Sequence, residues 1–281
     1  MNKIHAIAAA GLLFIACSGW AQEKTTPEIP PDSAGATQAL IDSPRHGEWI
    51  EVQIPNTETL IHTWVAYPER SDKAPVVIVI HEIFGMSDWV RAVADQLAAD
   101  GFIAVAPDLL SGMGPDGGGT NSFKGDTVRE AIRKITDDEL TARLNAVRDH
   151  ALTFPSASDK SACIGFCWGG TSSWTFATRQ PGLQAAVVYY GTAPGEEALK
   201  NIRCPMLGCY GGDDNRVTST VEPTAALMTR LDKPYTHHVY EGAGHGFLRQ
   251  QTARDSANAK AAQSAWKSTL EFLREHLEAT K

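Results

Sequence analysis

Three short segments carry residue types that could act together in covalent hydrolysis. Gly165-Phe166-Cys167-Trp168-Gly169 has the form G-x-C-x-G and lies between an apolar run and a stretch of helical spacing. A nucleophile raised on a sharp strand-to-helix turn needs such a pattern. Small neighbours let chain and substrate come close around a strained residue. The helix that follows aims its first N–H groups and its positive dipole end at the nucleophile, favouring a thiolate and a developing oxyanion. Gly211-Gly212-Asp213-Asp214 places an acid just past the strand-like run 204–210. Glu241-Gly242-Ala243-Gly244-His245-Gly246-Phe247 places a histidine in a glycine-rich loop after the run 236–240. Taken singly, these are a core cysteine at a turn, a capping aspartate and a loop histidine. Their chain order of nucleophile, acid, histidine at the ends of successive strands points to Cys167, Asp214 and His245 as one unit.

The elements that must position them follow from periodicity. GEWIEVQI and LIHTWVAY alternate apolar and polar residues and predict an antiparallel pair with one exposed face. PVVIVIH (75–81) and FIAVAPD (102–108) are continuous apolar runs, as strands buried on both faces require. Between them, 87–100 has helical spacing, with Ser87 as N-cap and Gly101 as stop. A helix over 126–154, broken near Thr136-Asp137, is followed by strand 161–166, helix 168–179, strands 185–190 and 204–210, helix 219–231, strand 236–240 and a helix near 255–278. Alternating strands and helices predict a single α/β domain over 46–281, with a mainly parallel sheet of eight strands and helices on both faces.

Composition narrows the function classes. The 281 residues are 43% hydrophobic with a net charge of −8, and no basic stripe is present, which argues against nucleic-acid binding. The start of the chain reads as a signal peptide over 1–21, with an apolar run from Ile4 to Ala16 and a small-x-small site cut after Ala21. Lipid attachment at Cys17 and an uncleaved anchor are the lesser alternatives. Export to a periplasm or the exterior is expected, with no membrane span left after cleavage. Residues 22–45 are polar and rich in Pro, Ser and Thr, and predict a loosely attached arm.

Four cysteines remain: Cys163, Cys167, Cys204 and Cys209. Four residues along a strand separate Cys163 from Cys167 by about 13 Å, beyond the reach of a disulfide, though cross-strand pairs stay open. The G-x-G-x-x-G at Gly112, Gly114 and Gly117 does not open a helix after a strand, so it reads as a loop rather than a phosphate cradle. His81-Glu82 begins like a zinc motif, but Gly85 stands where the second histidine belongs, so no metal is expected. No other cofactor is implied.

The sequence resembles the dienelactone hydrolases (carboxymethylenebutenolidases) of the α/β-hydrolase superfamily. The resemblance is carried by His81-Glu82-Ile83-Phe84-Gly85, Ala106-Pro107-Asp108-Leu109, Ile164 to Gly170, Tyr190-Gly191, Gly211 to Asp214 and Gly244-His245-Gly246-Phe247-Leu248-Arg249. It implies Cys167 as nucleophile, His245 as base and acid, and Asp214 rather than Asp213 as the orienting acid. It implies that Glu82 contacts the resting thiol and later takes its proton. It implies backbone N–H groups of Ile83 and Trp168 as the oxyanion hole. It implies Arg249, with a second arginine from the 126–135 helix, as the binder of a substrate carboxylate; Arg129 is the choice and Arg133 the alternative. The chain departs from the family in its leader and in the bulk of Trp168.

The expected activity is hydrolysis of a carboxylate-bearing lactone or ester through a thioester. A broad-specificity exported carboxylesterase or thioesterase is the alternative. A thiol redox protein and a non-catalytic binding domain are the readings from other classes. Tyr189, Tyr190 and Trp89 are candidates for pocket lining or core.

Overall fold

The computed structural model describes residues 28–278. The expected signal peptide, its cut after Ala21 and Cys17 lie outside the described residues. No described helix is long and apolar enough to cross a membrane.

Eight strands form one sheet: β1 (Gly47–Gln53), β2 (Leu60–Ala66), β3 (Ala74–Ile80), β4 (Ile103–Pro107), β5 (Ala157–Phe166), β6 (Ala185–Tyr189), β7 (Met206–Gly211) and β8 (Tyr235–Tyr240). Their order is β1-β2-β4-β3-β5-β6-β7-β8. β1, β2 and β4 pair antiparallel, and every later pairing is parallel. The helices are α1 (Ala36–Asp42), α2 (Asp88–Ala99), α3 (Thr127–Ile132), α4 (Asp137–Ala151), α5 (Trp168–Arg179), α6 (Glu196–Leu199), α7 (Asn215–Thr218), α8 (Val221–Arg230) and α9 (Ala257–Leu277).

All seven residues of β3 are buried, because alternate side chains enter different cores. Val77 and Val79 join the layer that holds Trp89, Leu97, Trp266 and Leu273 of α2 and α9. Val76, Ile78 and Ile80 join the layer that holds Leu144, Val147 and Trp174 of α4 and α5. Each such side chain contributes about 1.5–3 kcal/mol on burial. The edge strands β1 and β8 are half-exposed.

Local signals set the helix ends. Ser87 accepts from Val90 N at the start of α2, and Thr136 accepts from Glu139 N at the start of α4. Gly101 stops α2 with a φ of 103°. The glycine-rich loop after β4 contains only short 3₁₀ turns, at Pro115–Gly117 and Thr120–Ser122.

The arm differs from its expectation of loose attachment. From residue 29 it is docked on the domain. Ala36 is 1% exposed, and Ile29 and Leu40 pack on the α2–α9 core. Trp89 Nε1 donates to Pro31 O at 3.1 Å. Arg45 pairs with Asp95 of α2 at 2.5 Å. Composition shows the arm's polarity, but backbone carbonyls do much of the docking and leave no mark on composition.

β5 ends at the elbow, where space is tightest. A Cβ on Gly165 would lie 1.9 Å from Gly169 O, and one on Gly169 would lie 2.3 Å from Ile80 O. The start of α5 is therefore in backbone contact with the ends of β3 and β5. Gly169→Ala is expected to destabilise the fold by about 3 kcal/mol, since neither backbone can move aside. Urea denaturation measures it, and an unchanged midpoint would contradict the contact.

Candidate active site

Cys167 stands between β5 and α5 with φ 56° and ψ −113°. For a residue with a side chain this backbone costs on the order of 1–3 kcal/mol and persists only where its surroundings enforce it. Here Cys167 N donates to Tyr189 O at 3.0 Å, and Thr171 N donates back to Cys167 O at 3.1 Å. The thiol is partly exposed, while Cys163, Cys204 and Cys209 are buried and all four are free. Burial pushes the Cys163 thiol far up and the Cys204 and Cys209 thiols up to about 12. Cys163 and Cys167, the pair of the redox reading, are both free thiols, one buried and one partly exposed.

His245 follows β8 and Asp214 follows β7. His245 Nδ1 lies 2.5 Å from Asp214 Oδ2. Asp213 is engaged elsewhere, accepting from Arg254 at 2.7 Å. Burial alone would push the His245 ring down. Hydrogen bonding with Asp214 and Cys167 outweighs it and raises the ring to about 9. Asp214 thus meets the His245 ring directly, and Cys167 acts on the same ring.

Glu82 lies just beyond β3 and is 2% exposed. Burial raises its pKa, and the charges of Arg249 and His245 pull it partly back. Its carboxylate Oε2 is 2.6 Å from Arg249 Nε. The N–H is nevertheless misaligned, so neither atom has a hydrogen-bond partner among the described residues. Glu82 is paired with Arg249 here.

Both candidate arginines reach one ring. Arg249 and Arg129 stand over Phe84 at 4.9 and 5.0 Å from its centroid. Arg129 also pairs with Asp126 at 3.2 Å. Arg133 caps the end of α3. The role of Phe84 in holding two cations had no signal in the sequence.

Trp168 opens α5, so its N–H has no acceptor within the helix. Its ring stacks on His81 at 5.5 Å, and it shares a small apolar cluster with Ile83, Leu110 and Ile132. His81 is fully buried. Leu109 N donates to its Nε2 at 3.3 Å, so Nδ1 carries the proton and donates to Glu82 O at 2.8 Å. Burial lowers its pKa, and the ring serves as a structural strut. Among the described residues no cluster of His, Cys, Asp or Glu could hold a metal.

Two further supports were missed in the sequence. Asp108 accepts from Thr120 N and Thr120 Oγ1, each at 2.7 Å, and Met86 N donates to Thr120 Oγ1 at 3.0 Å. The long loop is thereby fastened to the turn that carries Glu82 and Ile83. Tyr190 is buried, has φ 41° and lies 5.0 Å from the His245 ring. Its hydroxyl has no hydrogen-bond partner among the described residues, and burial, then the charges of Glu82 and Cys167, push its pKa far up. Tyr189 instead bonds Thr269 at 2.8 Å, and Trp89 is core.

A mostly parallel eight-stranded sheet, a strained cysteine elbow and a carboxylate–histidine pair beyond β7 and β8 define a hydrolase of the α/β-hydrolase fold. The dienelactone hydrolase family model matches residues 61–277, and the chain belongs to that family. A protein of Escherichia coli (strain K12) assigned as a carboxymethylenebutenolidase is 30% identical over 237 residues, 79% of this chain and 85% of its own. One of Saccharolobus solfataricus with the same assignment is 28% identical over 247 residues, 76% of this chain and 93% of its own. The crystal structure of a Klebsiella pneumoniae protein assigned as a dienelactone hydrolase superposes with a TM-score of 0.71 at 27% identity. It covers 82% of this chain and 99% of its own.

Asp214→Asn should return the His245 titration from about 9 towards 6.5, followed through the ring proton resonances. The folded ring holds its proton more tightly than the unfolded one. The pair's contribution to stability is therefore full below pH 6.5 and fades as pH rises through about 9. The stability difference between wild type and Asp214→Asn should accordingly shrink from about pH 6 to about pH 10. A difference that grew with pH would contradict the pairing.

Proposed function

We propose that this protein is an exported hydrolase that opens a carboxylate-bearing lactone or ester with Cys167 as nucleophile. The observation that carries the reading is Cys167 on a strained elbow, beside a histidine that Asp214 orients. A protonated ring beside a sulfur favours the thiolate. The thiolate attacks the carbonyl carbon, a C–S bond forms, and negative charge moves onto the carbonyl oxygen. The N–H groups of Ile83 and Trp168 receive that charge; one such donor is worth about 3 kcal/mol in the transition state. Collapse breaks the ring C–O bond, and His245 gives its proton to the leaving oxygen. Water, deprotonated by His245, then opens the thioester and restores the thiol.

Glu82 and Arg249 tie binding to this chemistry. Their contact is close but poorly aligned. A substrate carboxylate can take the guanidinium in a bidentate fork. Glu82 is then released to accept the thiol proton. Arg129, across the Phe84 ring, supplies the second positive charge. The export reading rests on the leader sequence.

Iodoacetamide is expected to inactivate the enzyme by alkylating Cys167, and Cys167→Ala to lower hydrolysis by at least about ten-thousandfold. Wild-type rates in that variant would remove the nucleophile assignment. Dienelactone should be preferred over neutral esters in kcat/KM, and Arg249→Ala should erode that preference by about 10- to 100-fold. Preference for neutral esters, unchanged in Arg249→Ala, would leave a broad carboxylesterase instead.

A further inference from the structure

The loop after His245 carries Arg249 but has no regular structure of its own. Arg249 N and Gln250 N both donate to Gly246 O at 3.0 Å, forming a single turn. Asn258 anchors that turn by donating to Gln250 O at 2.7 Å. The outer side, residues 249–252, is held by the docked arm. Ser33 N donates to Arg249 O at 3.0 Å, and Gln251 Nε2 donates to Pro30 O at 2.7 Å. Asp32 Oδ2 accepts from Thr252 N at 3.2 Å and from Thr252 Oγ1 at 3.3 Å. The other oxygen of Asp32 accepts from Ala34 N at 2.9 Å and so shapes the arm's own turn. These contacts join segments about 220 residues apart in sequence, and their arm side, residues 30–33, lies outside the region 61–277 that the family model matches.

We propose that residues 30–33 are a positioning element of the active site, in which Asp32 clasps Thr252 and thereby holds the Arg249 backbone where its guanidinium meets an anionic substrate. The inference rests on the anionic-substrate reading above and extends it to a segment outside the family's common core. The physical basis is short reach. Arg249 is fixed at one end by its Glu82 contact and at the other by its own carbonyl on Ser33. Freeing the backbone lets the guanidinium drift, which weakens binding of the carboxylate, while the sulfur keeps its place on the elbow between β5 and α5.

The test uses the full chain with Asp32→Ala, Asp32→Asn and Thr37→Ala. Thr37 ties the arm to Asp88 of α2, away from the Arg249 loop, and controls for general loosening. Two readouts are taken: KM and kcat on dienelactone, and the ratio of Cys167 alkylation rates by iodoacetate and by iodoacetamide. The other three described cysteines are buried, and alkylation is read by mass spectrometry on the peptide that carries Cys167, which separates it from Cys17. Asp32→Ala should raise KM about fivefold, the worth of one net hydrogen bond, with kcat changed by less than about twofold. It should lower the iodoacetate-to-iodoacetamide ratio by a similar factor. Asp32→Asn keeps an acceptor and should recover most of the loss, and Thr37→Ala should match wild type. An unchanged ratio in Asp32→Ala overturns the proposal, as does an equal fall with both reagents or an equal effect of Thr37→Ala. The alkylation ratio does not depend on any ester being hydrolysed. A lowered ratio without lactone hydrolysis would therefore keep the arm's role and reject the substrate reading.

Discussion

The backbone contact at the Cys167 elbow constrains everything around it. Gly169 presses on the carbonyl of Ile80, and Gly170 would meet Tyr189 O at 2.4 Å if it carried a Cβ. The start of α5 is thus wedged between the ends of β3 and β6. No neighbour can shift without breaking sheet hydrogen bonds, so the positive φ of Cys167 is enforced from both sides. Tyr190, at the end of β6, is drawn into the same strain with its own positive φ. The residues that surround the sulfur therefore belong to the sheet's carboxyl edge and inherit its rigidity.

Rigid backbone then makes buried charge tolerable. Glu82, Asp214, His245 and Arg249 converge at one edge of a sheet that is otherwise apolar inside. Burying charges costs several kcal/mol each unless they are paired in good geometry. Asp214 and His245 meet that condition, and the outcome is a ring that holds its proton to about 9. Glu82 and Arg249 meet it poorly, because proximity at 2.6 Å comes without alignment. One pair is joined by a hydrogen bond, and the other is close without one. Asp214 and His245 follow the adjoining strands β7 and β8, and Arg249 lies four residues further along the His245 loop, in a part held by short turns and by the arm.

Most of the scaffold could be read from periodicity, because β3, β4 and β6 are continuous apolar runs and α5 begins right after the cysteine. The break at Thr136 was also visible, since its cap pattern is local. The short helices α1 and α6 were not, having too few residues to show a period. In the site, glycine-rich context and chain order singled out cysteine, histidine and acid, of which the structure joins Asp214 to His245. The engagement of Asp213 with Arg254 depends on a loop folding back, which no local pattern records. The same holds for Phe84 between two guanidinium groups and for Asp108 on Thr120. The arm was misread for a related reason. Its hold on the domain comes from main-chain carbonyls at Pro30 and Pro31, one carboxylate and a buried alanine, and a polar composition conceals all of these.

Trp168 shows why a bulky residue can follow the nucleophile without closing the site. Its ring lies on His81 with 22° between planes, directed towards the β3 side and the Ile83 cluster. His81 in turn is fixed by a donor at each ring nitrogen position: Leu109 N–H to Nε2, and its own Nδ1–H to Glu82 O. One stacked pair therefore links the first residue of α5 to the turn that bears Glu82 and Ile83. An aliphatic side chain at 168 could fill space there but could not stack on a neutral imidazole. The bulk of Trp168 thus acts on the spacing between two backbone segments.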